Sequence, residues 1–167
     1  MTGNSPVDRS KLGTKRHILT DKKGIPLSAV ISSASTHDIK LVTDVMDNMV
    51  IKRSSSSSAK CNSSRKRKVQ HLCLDKAYNS KTVKQAIIKR GYVPYIPYKR
   101  NRGQKIEAMC QKRYPSAKNK RWVVERTNSW HNRFRKLFTR YEKKVGNYLG
   151  LVQLSCSIII YRKIILG

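Results

Sequence analysis

The only long apolar stretch in this chain, Leu149 to Tyr161, is 13 residues long and is interrupted by Gln153, Ser155 and Ser157. A membrane-spanning helix needs roughly 20 mostly apolar residues, so the stretch reads as a buried helix and no insertion into a membrane is expected. The remaining residues must fold around it with little apolar material. The apolar fraction is 38 %, below the ~45–50 % of ordinary domains but far above that of a disordered chain. A length of 167 residues suits one domain over 1–167, part of a larger one included.

Charge supplies the next constraint. Lys and Arg number 37 against 9 Asp and Glu, a formal net charge of +28. A surplus of this size calls for an anionic partner. Nucleic acid comes first, because counterion release from a polyphosphate rewards many cations at once; an acidic membrane surface comes second. Cys61, Cys73, Cys110 and Cys156 fall singly, with no CxxC pair. They read as reduced thiols in a cytosol-like compartment rather than a zinc or disulfide framework. Residues 1–20 contain no apolar core of a signal peptide, so a cytoplasmic, nucleoid-associated location is expected.

Residues 1–14, rich in Gly, Ser and Pro, are expected to be irregular. Lys15–Thr20 and Ile25–Ser32, joined by Asp-Lys-Lys-Gly at 21–24, predict a β-hairpin. Thr36 is a candidate N-cap for a helix from His37 to about Met49, with Ile39, Val42, Val45, Met46 and Met49 on one face. A Ser-rich, basic stretch at 52–68 cannot bury apolar surface and predicts a flexible loop within the domain. Val69–Leu74 predicts a strand that ends at Asp75. Ser80–Arg90 predicts a helix with Val83, Ile87 and Ile88 inward, stopped by Gly91. Tyr92–Tyr98, with two prolines, predicts an edge strand. Lys99–Asn119 is basic and unpatterned. Lys120–Tyr141 predicts one long helix with Trp122, Val123, Trp130, Phe134, Leu137 and Phe138 inward, and Asn147–Ile165 the closing helix. This element order indicates an α/β fold: a mixed sheet with flanking helices.

With nine acids, each can be weighed. Most sit in turns or at exposed helix positions, where local ion pairs explain them. Asp38 is a first-turn partner of its helix dipole. Asp75 closes an apolar strand, the end at which α/β sheets hold ligands; it either caps the following turn or serves a site, with Lys76 and Tyr78 placed to meet a phosphate and a base. Glu125 interrupts an apolar run between Arg121 and Arg126. It either pairs with those arginines or carries chemistry. Two carboxylates from different elements can share divalent cations, and hard oxygen donors select Mg²⁺ or Mn²⁺.

The run Gly13-Thr14-Lys15-Arg16-His17-Ile18-Leu19-Thr20-Asp21, then Gly-Ile-Pro-Leu at 24–27 and Thr36-His37-Asp38, resembles DDE-type insertion-sequence transposases. So do Leu74-Asp75-Lys76-Ala77-Tyr78 and the segment Arg121-Trp122-Val123-Val124-Glu125-Arg126-Thr127-Asn128-Ser129-Trp130. The blocks keep their order over essentially the whole chain. The resemblance implies a ribonuclease H-like fold whose Asp-Asp-Glu triad binds two metal ions. Asp75 matches the second Asp, Glu125 the Glu 50 residues later, and Arg121 an arginine of the glutamate signature. Lys118 and Asn132 stand where flanking Tyr and Lys are usual.

No residue matches the first Asp, which the resemblance places on a central strand upstream of residue 13; Asp8 and Asp21 do not fit. The sequence is therefore read as the C-terminal portion of such a domain, with that strand missing. Metal-dependent DNA strand cleavage and transfer is the implied activity, impaired in the chain alone. An upstream segment or a homo-oligomer is an expected partner beside DNA. Arg126, Arg133, Arg135, Lys136 and Arg140 are expected to hold phosphates together with Arg121 and Lys76, with Tyr78 stacking a base. Trp130 lies in the stripe, where core packing outweighs stacking on DNA. The alternative is a non-catalytic basic nucleic-acid-binding protein, a decayed transposase relic.

Overall fold

The computed structural model describes residues 2–5, 9–51, 69–97 and 121–166. Two compact units make up the chain: Met1–Met49 with Asn119–Gly167, and Val50–Lys118. The expected loop at 52–68 and the basic stretch at 99–119 lie outside the described residues.

The first unit is built on an antiparallel sheet of β1 (Gly3–Asn4), β2 (Leu12–Thr20) and β3 (Pro26–Ser33), in that order. The hairpin is the one expected, but it begins earlier. Gly3 and Asn4 pair with Gly13 and Leu12, so part of the stretch expected to be irregular is strand. The turn is set by Asp21, whose Oδ1 accepts from the N–H groups of Lys23 and Ile25, both at 2.8 Å. Gly24 completes it at φ +85°, a left-handed conformation open to glycine.

Strand alternation gives the sheet two covered faces. On one, Lys15 Nζ donates to Asp38 Oδ1 at 2.9 Å and to the Thr36 carbonyl at 3.1 Å, while His17 Nε2 meets Ser32 Oγ at 2.8 Å. These contacts hold the chain entering α1 (Val42–Asp47), which buries Val42 and Met46. The expected helix from His37 is instead a 3-10 turn at Asp38–Leu41 leading into α1, and its N-cap is His37 rather than Thr36. His37 Nδ1 accepts from the Ile39 N–H at 3.3 Å.

The other face carries Arg16, Ala29 and Ile31. Ile31 packs with Leu137, Tyr148, Val152 and Cys156 into one cluster, bordered by Ala29 and Phe134. It draws on α4 (Arg135–Phe138) and α5 (Val145–Ile164), which follow α3 (Arg121–Asn132) in the chain. The long helix expected over 120–141 is thus broken at Arg133 and Phe134, where Phe134 has an extended backbone. At 100° per residue an unbroken helix would set Phe138 in phase with the buried His131 and turn Leu137 away. The break exchanges them: Leu137 is 3 % exposed and Phe138 72 %. Trp122, also expected inward, is 52 % exposed. The core face of α3 is instead Val123, Thr127 and His131, at i, i+4 and i+8.

α5 is longer than the apolar run and buried on one face only, through Tyr148, Val152, Ser155, Cys156 and Ile159. Leu154, Tyr161 and Ile164 are exposed, so the helix expected to be buried covers only part of its apolar surface. Among the described residues no helix is long and apolar enough to cross a membrane.

The second unit pairs β4 (His71–Cys73) with β5 (Val93–Tyr95) in parallel, with α2 (Lys81–Lys89) between them in sequence. α2 buries Val83 and Ile87 and ends before Gly91 at φ +78°. Ile88, expected inward, is 60 % exposed. The molecule is therefore a mixed α/β structure with antiparallel and parallel sheets and flanking helices.

Gly24 is where α3 crosses the hairpin. A Cβ there would lie 3.0 Å from Thr127 Oγ1 and 3.1 Å from Arg126 Nη2, on a backbone that L side chains rarely adopt. Gly24→Ala should cost roughly 1–3 kcal/mol, read as a lower urea midpoint. A midpoint unchanged from wild type would contradict this crossing.

The core of this unit also predicts a pH response. Ser155 Oγ donates to the Val152 carbonyl at 2.7 Å, so its contact with His131 Nδ1 at 2.7 Å must be accepted from an Nδ1–H. Nε2 is then left as acceptor for the Cys156 thiol at 3.8 Å. Burial, aided by the nearby Arg16 charge, lowers the His131 pKa to about 4. The folded state thus binds fewer protons than the unfolded one below pH ~6.5. Stability from this site is complete above that pH and is lost as pH falls toward 4, by on the order of 3 kcal/mol. His17, also lowered by burial, acts in the same direction. His131→Gln, although less stable at pH 7, should lose clearly less of its unfolding free energy between pH 7 and 4.5 than wild type. Parallel pH profiles would refute the assignment.

Candidate functional site

Asp75 follows β4 and starts a 3-10 turn at Lys76–Tyr78. Its Oδ1 accepts from the Lys76 N–H at 2.7 Å, and its carbonyl accepts from the Tyr78 N–H at 3.0 Å. Capping and ligation need not compete, because one amide fixes the carboxylate's orientation while a carboxylate has several acceptor directions. Asp75 is half-buried, Lys76 exposed and Tyr78 half-buried. Cys73, two residues before Asp75, is exposed, whereas Cys156 is buried and its thiol pKa is pushed up to about 11 by burial.

Glu125 belongs to the first unit. It lies on the exposed side of α3, away from Val123, Thr127 and His131. The helix is held from below by several bonds. Thr127 Oγ1 donates to the Gly24 carbonyl at 2.7 Å, Arg126 Nη2 donates to the Lys23 carbonyl at 2.6 Å, and Arg16 Nη2 donates to Asn132 Oδ1 at 2.7 Å. The helix that carries Glu125 is thereby tied to the hairpin at its middle and at its end. Among the described residues no three His, Cys, Asp or Glu side chains are gathered as a metal cluster.

The expected phosphate ligands occupy different settings. Arg133, Arg135 and Lys136 are exposed around the break between α3 and α4. The backbone of Arg121 opens α3, and its side chain lies outside the described residues. Arg126 is packed between two indoles, 4.5 Å from the Trp122 ring centre and 5.0 Å from that of Trp130. Arg140 is bound within its own unit. It donates through Nε to the Glu142 carbonyl at 2.9 Å and through Nη1 to Thr14 Oγ1, and it lies over the Tyr148 ring.

Sequence reasoning missed Thr127, His131 and Ser155, because a stripe sought among apolar residues passes over small polar ones. Their signal was the spacing from Val123. Asp38, read from sequence as a dipole partner, is also the acceptor for Lys15.

The family model described as the transposase DDE domain matches residues 2–160. A putative transposase for insertion sequence element IS402 from Burkholderia cepacia is 29 % identical over 161 residues, which cover 96 % of this chain and 68 % of that protein. No solved structure matches significantly. The ordered blocks from Gly13 to Trp130, carried by a mixed α/β structure, together with the family match over nearly all of the chain, make it a member of the transposase DDE domain family.

Proposed function

We propose that this chain acts on DNA as the catalytic portion of an insertion-sequence transposase, with Asp75 and Glu125 as two of its metal-binding carboxylates. The reading is supported by the family match over residues 2–160, by the resemblance of the Leu74–Tyr78 and Arg121–Trp130 segments to the family's motifs, and by Asp75 being oriented at a strand end by the Lys76 amide. The fold proposed is ribonuclease H-like. An antiparallel β2–β3 hairpin in one unit and a parallel β4–β5 pair in the other are both pairings that such a fold contains, and it would also need a central strand bearing a third carboxylate. That strand could come from an upstream segment, and a homo-oligomer is a further proposed partner.

Carboxylate oxygens suit Mg²⁺ or Mn²⁺. Such ions, when bound, activate a water or 3′-hydroxyl and stabilise the leaving oxygen. The protein's part is to position them. Asp75 is aimed by a backbone N–H, and Glu125 by a helix bonded to the hairpin turn. Exposed Arg133, Arg135 and Lys136 are the cations best placed to take phosphates, with Lys76, Tyr78 and Arg121 nearer the acids in sequence. Arg126 and Arg140, also proposed from sequence, would contact DNA only through the parts of their guanidinium groups that their own unit does not use. The net charge of +28 supports tight, salt-sensitive binding.

Two measurements test the proposal. Mn²⁺ should broaden the amide resonances around both Asp75 and Glu125, and Asp75→Asn should abolish the broadening at both. Broadening confined to one site would refute a shared metal. Nicking of supercoiled DNA, with Mg²⁺ or Mn²⁺ and an upstream family segment supplied, should fall at least ~100-fold in Asp75→Asn and Glu125→Gln. DNA binding should persist in both variants and weaken steeply with salt. Equal binding with no metal-dependent nicking in any of the three proteins would leave the non-catalytic binder as the function.

A further inference from the structure

We propose that the outward face of α5 is the surface through which two copies of this chain pair, with the helices antiparallel about a two-fold axis. The proposal rests on the homo-oligomer named above and gives it a surface and a register.

α5 packs into its own unit through the row that runs from Tyr148 to Ile159. At 100° per residue the opposite side carries Asn147, Gly150, Leu154, Ser157, Tyr161 and Ile164, all of them exposed. Their spacing alternates between three and four, the repeat of a seam between two helices. Leu154, Tyr161 and Ile164 are each more than half exposed. Ser157 needs nothing from a partner, since its Oγ donates to the Gln153 carbonyl at 3.1 Å. Gly150 has no use within its own unit. A Cβ there would meet nothing within 4 Å, and glycine weakens a helix interior relative to alanine. The room it leaves opens only outward.

Charge selects the occupant. The chain is 28 % charged and carries a net +28, yet from Val145 to Tyr161 it has no charged side chain. Lys163, just beyond, is turned over the Trp130 ring, 5.0 Å from its centre. A polyanion gains nothing from such a face, whereas two cationic copies meet there with the least repulsion. Size selects the orientation. In the antiparallel pair Tyr161 of each copy lies opposite Gly150 of the other, Leu154 opposite Ser157, and Ile164 opposite Asn147. Every large side chain thus meets a smaller one, and the two-fold axis repeats each match. A parallel pair would set Tyr161 against Tyr161 and leave glycine facing glycine. The seam is about 27 Å long, and a helix pair of that length buries on the order of 1,200 Å² in total, the lower limit for a stable dimer. The pairing is therefore reversible, and because it joins cationic bodies through an apolar seam, salt strengthens it.

Sedimentation equilibrium of the full-length chain, freed of nucleic acid, should show monomer and dimer with a Kd on the order of 10 µM. That Kd should tighten about threefold or more between about 0.15 M and 1 M NaCl. Gly150→Leu fills the room for Tyr161 while favouring the helix, so the dimer should weaken about tenfold or more with circular dichroism and Tm preserved. Tyr161→Ala should weaken it similarly, and adding Tyr161→Ala to Gly150→Leu should recover part of the loss, because large and small are then exchanged. A Gly150→Leu dimer as tight as wild type, or a double variant no tighter than Gly150→Leu, would overturn this seam while a homo-oligomer through another surface survived. A wild-type chain still monomeric at about 200 µM in both salts would overturn the homo-oligomer too and leave the face to an upstream segment. If Gly150→Leu does not fold, Leu154→Ser decides by the same loss of dimer.

Discussion

The first unit depends on the crossing of α3 over the hairpin turn. Gly24 lets the helix approach, and Thr127 uses one hydroxyl to bond the Gly24 carbonyl and its own Val123 carbonyl. A larger residue at 24 would push the helix off, and an apolar residue at 127 would leave a buried carbonyl without its donor. From this crossing α3 runs to His131, whose neutral ring joins the helix to α5. Glu125 projects from the opposite side of the same helix, so the placement of the acid follows from the contacts that Thr127 and His131 make.

Legibility in the sequence varied with the kind of interaction. The hairpin, α2 with its glycine stop, the strand before Asp75 and the apolar closing helix were all readable, because each is local or periodic. The break in α3 was not. No proline or glycine marks it; it reflects competition between Leu137 and Phe138 for one core position, and that competition depends on where β3 and α5 lie. The polar face of α3 stayed hidden for a related reason. Thr127 and His131 are buried because their partners, the Gly24 carbonyl and the Ser155 hydroxyl, come from distant parts of the chain.

The candidate acids were legible as types and as matches to a family pattern. Their local settings were only half legible. Asp75 was open between cap and ligand, and by geometry its Oδ1 caps the turn by accepting from the Lys76 amide, which orients the carboxylate. Among the arginines, charge alone did not separate Arg140, bound to Thr14 and the 142–143 backbone, from Arg133 and Arg135 at the surface. Nor could periodicity separate Trp122 from the core residues around it, since the indole finds its neighbour in a guanidinium rather than in the sheet.

The four-residue turn at 21–24 has a consequence for how such sequences can diverge. Lys23 and Gly24 offer their carbonyls to Arg126 and Thr127, residues more than a hundred positions away. Lengthening the turn by even one residue would carry those oxygens out of register with the helix. Exchange of this hairpin between related proteins should therefore succeed only when residues 123–131 travel with it, so that two segments far apart in the gene are inherited as a single mechanical part.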